Sequence, residues 1–256
     1  MHFPVQIPIG NNTIYLHTIT ESLGMFVGFR YFLYLRKKQG DYIPSPKRIW
    51  IIIGAVFGAV IGSRLIGGLE NVHDLVHATN KWLYFYTNKT IVGGLLGGLF
   101  GVELMKKIIR EPASSGDLFT YPLVLAMIIG RIGCFSMGVF EETYGLPANV
   151  FWAMNLGDGL LRHPVSVYEI VFLLFLWWFL IKINQTHALQ NGALFKLFMI
   201  AYLLFRLLLD FIKPRYTLLF GLSAIQLTCI AGLVYYYRYV LYPKKLIAYP
   251  SIQLYA

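Results

Sequence analysis

Seven stretches of this chain, residues 18–35, 49–69, 90–105, 118–137, 165–182, 194–212 and 217–242, are apolar and long enough to be read as helices crossing a bilayer. About 20 mostly apolar residues span the hydrocarbon core, and only a helix satisfies every backbone N–H and C=O within such a segment. The expected class is therefore an all-α polytopic membrane protein of about seven transmembrane helices. Of the 256 residues 57% are hydrophobic and 13% charged, against roughly 25% charged in a soluble domain. That composition excludes an ordinary soluble fold.

The formal net charge of +10 does not point to nucleic acid. Lysines and arginines cluster between the apolar runs rather than along one face, which makes them topology signals and makes anionic lipid the expected partner. Arg36, Lys37, Lys38, Lys47 and Arg48, then Lys106, Lys107 and Arg110, then Lys182, then Lys244 and Lys245 all fall on one side. By the positive-inside rule that side is cytoplasmic, with the N-terminus outside and the C-terminus inside. The segment from Met1 to Asn12 lacks the pattern of a cleaved leader, so the first run is expected to direct insertion. Residues 1–256 read as a single membrane domain, with a small outer-side cap near 138–164. Cys134 and Cys229 both lie in apolar runs and show no paired spacing.

Charges inside those runs call for an explanation, because each costs roughly 2.5–3.5 kcal/mol near the bilayer centre. Counting about 1.5 Å per residue from the cytoplasmic ends places Arg64, Arg131 and Arg206 in the outer half. Asp210 lies one turn beyond Arg206, and Glu21 and Glu169 lie near the outer ends of their runs. Arg162, His163 and Lys213 sit just outside and face the same region, leaving a positive surplus. A guanidinium stays charged and matches two phosphate oxygens with its fork, so three arginines suit a phospholipid headgroup. Arg206, Asp210 and Lys213 share one helical face by their spacing. Gly130 and Gly133 thin the helix around Arg131, and the glycines spaced by four, among them Gly93 beside Gly94, permit close helix packing or approach of a ligand.

These residues resemble the bacterial prolipoprotein diacylglyceryl transferases over most of the chain. Residues 130–138, GRIGCFSMG, are similar to the family signature GRIGNFxNGE, and residues 162–169, RHPVSVYE, to HPTQLYE. Residues 62–65 resemble part of GGRLGY, residues 92–97 HGGLLG, and residues 206–214 RFxxEFxRxPD. The resemblance implies a seven-helix enzyme of the bacterial inner membrane. It implies a reaction in which the lipobox cysteine thiol of a preprolipoprotein attacks the glyceryl carbon of phosphatidylglycerol, forming a thioether and releasing glycerol phosphate, with no cofactor or metal. Arg131, Arg206, Glu169, Asp210 and His163 are then expected at the reacting centre. Arg64, Glu21, Gly93, Gly94, Gly130, Gly133, Gly138, Glu141, Arg162 and Lys213 are expected to bind substrate. Val92, Cys134 and Val139 depart from the family pattern at its histidine, asparagine and acid. Glu141 or Glu142, Glu21 and His163 are the alternative proton acceptors. An anionic-lipid-binding or transport protein on the same fold is the competing reading.

Overall fold

The structure is a computed structural model that describes residues 2–10 and 12–248. Met1 and Asn11, in the segment read for a leader, and residues 249–256, which include the C-terminus, lie outside the described residues. Every one of the seven apolar runs contains a helix. They are α1 (Leu16–Gln39), α2 (Ser45–Gly68), α5 (Ile91–Ile108), α6 (Asp117–Met137), α7 (Val165–Thr186), α8 (Ala193–Leu209) and α9 (Ala224–Tyr235). Among the described residues three are long and apolar enough to cross a membrane by length and composition: Ser45–Gly68, Asp117–Phe140 and Val165–Thr186.

The last run differs from its expected form. A helix across 217–242 is expected, yet α9 begins only after Ser223 and is followed by a separate short helix, α10 (Tyr237–Leu241). Ser223 accepts the Gln226 N–H while Gln226 returns a side-chain bond to the Ser223 N–H, a reciprocal cap that fixes the start. Just before it, Phe220 and Gly221 take positive φ and turn the chain back between Leu219 and Leu222.

The segments outside the apolar runs also carry structure. A hairpin of β1 (Gln6–Ile9) and β2 (Asn12–Tyr15) precedes α1. The 70–89 loop holds α3 (Val72–His77) and α4 (Lys81–Thr87), each capped by an asparagine side chain. Residues 138–164 contain a 3-10 turn at Gly138–Phe140 and the short pair β3 (Met154–Asn155) and β4 (Leu161–Arg162).

Two helix pairs set the frame. Along α2, Gly54, Gly58 and Gly62 lie against Gly101, Gly97 and Gly93 of α5, backbone on backbone. A Cβ on Gly97 would stand 2.8 Å from the Cα of Gly62 and closer still to the Gly58 carbonyl. Small residues are what let two helices in lipid gain dispersion energy at such range. The second pair is α1 on α6, and α7, α8 and α9 close the bundle around Leu173, Leu176, Phe198, Met199, Leu203 and Ile225, all nearly inaccessible.

Arg48, read from sequence as a topology charge, is buried to 2% exposure and donates to Asp41 with its Nε at 2.8 Å. Arg36 Nε adds a second donor at 2.9 Å, so the α1–α2 turn is tied by one carboxylate between two guanidiniums. Burial alone would push the Asp41 carboxyl up, but Arg48, the Ile43 N–H and Arg36 together hold it below its usual range.

The α2–α5 seam gives a direct test in detergent-solubilised protein. Gly97→Ala is expected to lower the melting temperature by overpacking, worth about 1–3 kcal/mol. Gly94→Ala, whose Cβ would meet only ordinary contacts such as Ser63 Cβ at 3.7 Å, should leave it unchanged or raise it. Equal effects at the two positions would contradict the packing described.

Candidate functional site

Three helices deliver one charged side chain each to a common point. Glu169, near the start of α7 and fully buried, receives Arg131 Nε from α6 at 2.8 Å on Oε1 and Arg206 Nη1 from α8 at 3.3 Å on Oε2. The hydroxyl of Tyr202, one turn before Arg206 on the same face of α8, donates to Oε1 at 2.6 Å. The triad alone carries a formal charge of +1, which the buried Asp210 beside Arg206 offsets. One donor of this group is also unsatisfied: Arg206 Nε is buried and has no acceptor among the described residues. A buried orphan N–H costs about 1–3 kcal/mol or more when charged, which an oxyanion would recover.

Around the triad lie further polar groups. Asp210, in the 3-10 turn that ends α8, is 1% exposed and accepts from Ser223 Oγ rather than pairing with Arg206. Lys213 is 5% exposed just beyond it. Glu70, after α2, faces Lys213, Asp210, Arg206 and Glu142; burial pushes its carboxyl above the usual range against the pull of Lys213. Burial, with Arg206 nearby, pushes the Lys213 ammonium down. Both shifts have the cause expected of charge held away from water.

On the other side of Arg131, its Nη1 donates to Cys134 Sγ at 3.4 Å, three residues along α6. Glu141 and His17 approach the same thiol: one ligand atom from each of His17, Cys134 and Glu141 lies within 4.8 Å of the others. His17 Nδ1 is 2.7 Å from Glu141 Oε2. These three residues are the set that could hold a metal, but ligands on one tetrahedral zinc with bonds of about 2.0–2.1 Å stand about 3.3 Å apart. The His17–Glu141 spacing is that of a paired imidazole and carboxylate.

The remaining residues singled out from sequence are placed separately. Arg64 lies over the Tyr86 ring at 5.0 Å. Glu21 takes Lys89 Nζ at 2.5 Å, bridging α1 to the loop before α5. Arg162 is held by Asp158 at 2.6 Å and by the Gly145 carbonyl at 3.2 Å, and His163 Nδ1 meets the Tyr168 hydroxyl at 2.9 Å. Gly93 is part of the helix seam with Gly62, whereas Gly94 borders a cavity of about 310 Å³ together with Ala59, Gly98, Leu99, Phe119 and Lys196. The Cβ position of Gly130 is open, Gly133 packs under His17 and Thr20, and Gly138, with φ +60°, packs on the Leu156 carbonyl. Sequence reasoning missed Tyr202, whose signal was its spacing of four from Arg206, and Ser223, which had none beyond its capping role.

A family model described as prolipoprotein diacylglyceryl transferase matches residues 4–242. The chain belongs to that family. Among its relatives, the phosphatidylglycerol-prolipoprotein diacylglyceryl transferase of Nitratidesulfovibrio vulgaris is 32% identical over 176 residues, which is 64% of this chain and 62% of that protein. The protein of the same name from Bordetella bronchiseptica is 30% identical over 174 residues, 64% of this chain and 63% of its own length. That from Trichormus variabilis is 26% identical over 247 residues, 90% of this chain and 86% of its own. The chain thus matches somewhat less than two thirds of the length of the first two. The departures from the family pattern have definite surroundings. Val92 is fully buried in the apolar core, Cys134 faces Arg131, and the Val139 N–H bonds the Leu156 carbonyl at 3.1 Å.

Glu169→Gln removes the charge that two buried guanidiniums share and is expected to cost about 3–5 kcal/mol, a large drop in melting temperature. Tyr202→Phe should cost about 1–2 kcal/mol. A separate linkage test uses Glu70. Its raised folded value means that the fold loses stability as pH climbs from about 4.3 through that value, so Glu70→Gln should stabilise more at pH 8 than at pH 5. Thermal unfolding at the two pH values checks all three, and a pH-independent effect of Glu70→Gln would contradict its assignment.

Proposed function

We propose that the protein moves the diacylglyceryl group of phosphatidylglycerol to the lipobox cysteine thiol of a preprolipoprotein, releasing glycerol phosphate. The observation that carries this reading is the buried Arg206 Nε without an acceptor among the described residues, in a group where Arg131 and Arg206 converge on Glu169. An anionic phosphate beside these arginines would supply the missing acceptor. Family membership and the printed names of the relatives agree with that substrate pair.

In this reading the chain lies in the bacterial inner membrane as one domain of seven spans, with its N-terminus outside, its C-terminus cytoplasmic, and residues 138–164 as an outer cap. The basic clusters at Arg36–Lys38, Lys106–Lys107 and Lys244–Lys245 support the orientation. Arg131 and Arg206 bind the phosphate and take up the charge that grows on it as the carbon–oxygen bond breaks. Glu169 and Tyr202 hold the two guanidiniums in register, and Asp210 with Ser223 secures the end of α8. Lys213 and Arg64 add positive field at the rim. The chemistry requires no cofactor.

A second reading keeps lipid binding and drops the transfer. It is favoured by Val92, Cys134 and Val139, which put apolar or weakly polar side chains where the family pattern has a histidine, an asparagine and an acid. The two separate in one assay. Purified protein is mixed with phosphatidylglycerol vesicles and a lipobox peptide, and the peptide mass and free glycerol phosphate are followed. The expected result is thioether product from the wild type and a loss of about 10²–10³-fold in Arg131→Ala or Arg206→Ala. Bound but unreacted lipid, under conditions where a relative turns over, would favour the second reading.

A further inference from the structure

We infer that His17, oriented by Glu141, takes the proton from the attacking thiol; this rests on the transferase reading above. His17 stands in the first turn of α1, with Nδ1 2.7 Å from Glu141 Oε2 and Nε2 3.8 Å from Glu21 Oε2. Its side chain is 15% exposed and that of Glu141 27%. Despite the short contact, Glu141 Oε2 is buried without a well-aligned hydrogen bond, and the neighbouring Thr143 Oγ1 is likewise unsatisfied. Glu141 Oε2 therefore has His17 Nδ1 as its near neighbour among the described residues.

The position of the pair connects it to the arginines. Cys134 Sγ lies between, within 4.8 Å of the His17 and Glu141 ligand atoms and 3.4 Å from Arg131 Nη1. The imidazole and the guanidinium that would hold the phosphate thus approach the same thiol from two sides. Gly133 enforces this placement, since a Cβ there would stand 3.0 Å from the His17 Cα and collide with Thr20 Oγ1. Cys134 and Thr143 also line a cavity of about 10 Å³, roughly the room one water centre needs.

The chemistry follows from the imidazole's two nitrogens. A carboxylate at Nδ1 favours the tautomer with the proton on Nδ1 and leaves Nε2 as acceptor. The thiol S–H proton passes to Nε2, and the thiolate attacks the glyceryl carbon esterified to phosphate. A carbon–sulfur bond forms and the carbon–oxygen bond breaks, its electron pair staying on the phosphate oxygen. Glycerol phosphate leaves, and the imidazolium returns its proton to the phosphate or to water. Glu141 is a positioning residue; the charged groups facing His17 are Glu141 and Glu21, itself paired with Lys89, and the uncharged titratable group is the Cys134 thiol.

The test uses full-length protein, phosphatidylglycerol vesicles and a lipobox peptide across pH 5–9.5, with melting temperatures for each variant. His17→Gln is expected to lower kcat by about 10²–10⁴-fold while KM for phosphatidylglycerol changes by less than about threefold. Its remaining rate should rise tenfold per pH unit up to the thiol's own ionisation near about 8.5, because thiolate must then form unaided. Glu141→Gln leaves the imidazole without its orienting carboxylate and is expected to lose about tenfold in kcat with KM for phosphatidylglycerol little changed. Wild-type kcat and pH profile in a stable His17→Gln would overturn the assignment and leave the transferase reading standing. Should His17→Gln fail to fold, wild-type kcat in a stable Glu141→Gln overturns it instead. A wild type that never turns over, where a relative does, overturns the transferase reading and this assignment together.

Discussion

A carboxylate with two arginines on it, deep in an apolar bundle, is the interaction on which the rest of the structure depends. Glu169 cannot be buried alone, and neither can Arg131 or Arg206; each makes the others tolerable. Because the three come from α6, α7 and α8, the ion group also fixes how those helices stand relative to one another. Tyr202 supplies the last donor to Glu169, while Arg206 Nε is left over. Removing one member alone would leave an uncompensated buried charge, so the three stand or fall together.

The scaffold around it is built for close approach. Facing glycines bring α2 and α5 into backbone contact, and Gly133 brings the start of α1 down onto α6 beside Cys134. The first seam is structural. The second carries His17 to the neighbourhood of Arg131, so a packing constraint and a chemical arrangement share one residue. At the opposite end, Asp41 between Arg36 and Arg48 closes the α1–α2 turn, which shows that a basic cluster read as a topology signal can also be an internal brace.

Much of this was legible before any coordinates. Charged residues inside apolar runs are costly, and that alone singled out Arg131, Glu169 and Arg206, which the fold brings together. Arg64 and Glu21 obeyed the same rule but found their own partners, Tyr86 and Lys89, in a loop whose short helices leave little trace in hydropathy. The shared face of Arg206 and Asp210 was readable from spacing, yet Asp210 answers to Ser223, which a turn and a capping box bring back from 13 residues away. Glu141 was singled out from the sequence, but its meeting with His17 was beyond reach because it depends on packing between distant segments. The late start of α9 was hidden for a simpler reason: hydropathy does not register a cap, and residues 217–223 are as apolar as a helix.

The central claim is that Arg131 and Arg206 form a phosphate seat in the membrane. An experimental structure of the protein in nanodiscs of phosphatidylglycerol tests it most directly. The account predicts lipid phosphate oxygens within about 3.2 Å of both guanidiniums, with Arg206 Nε among the donors. A headgroup bound elsewhere, with Arg206 Nε satisfied by the protein itself, would contradict it.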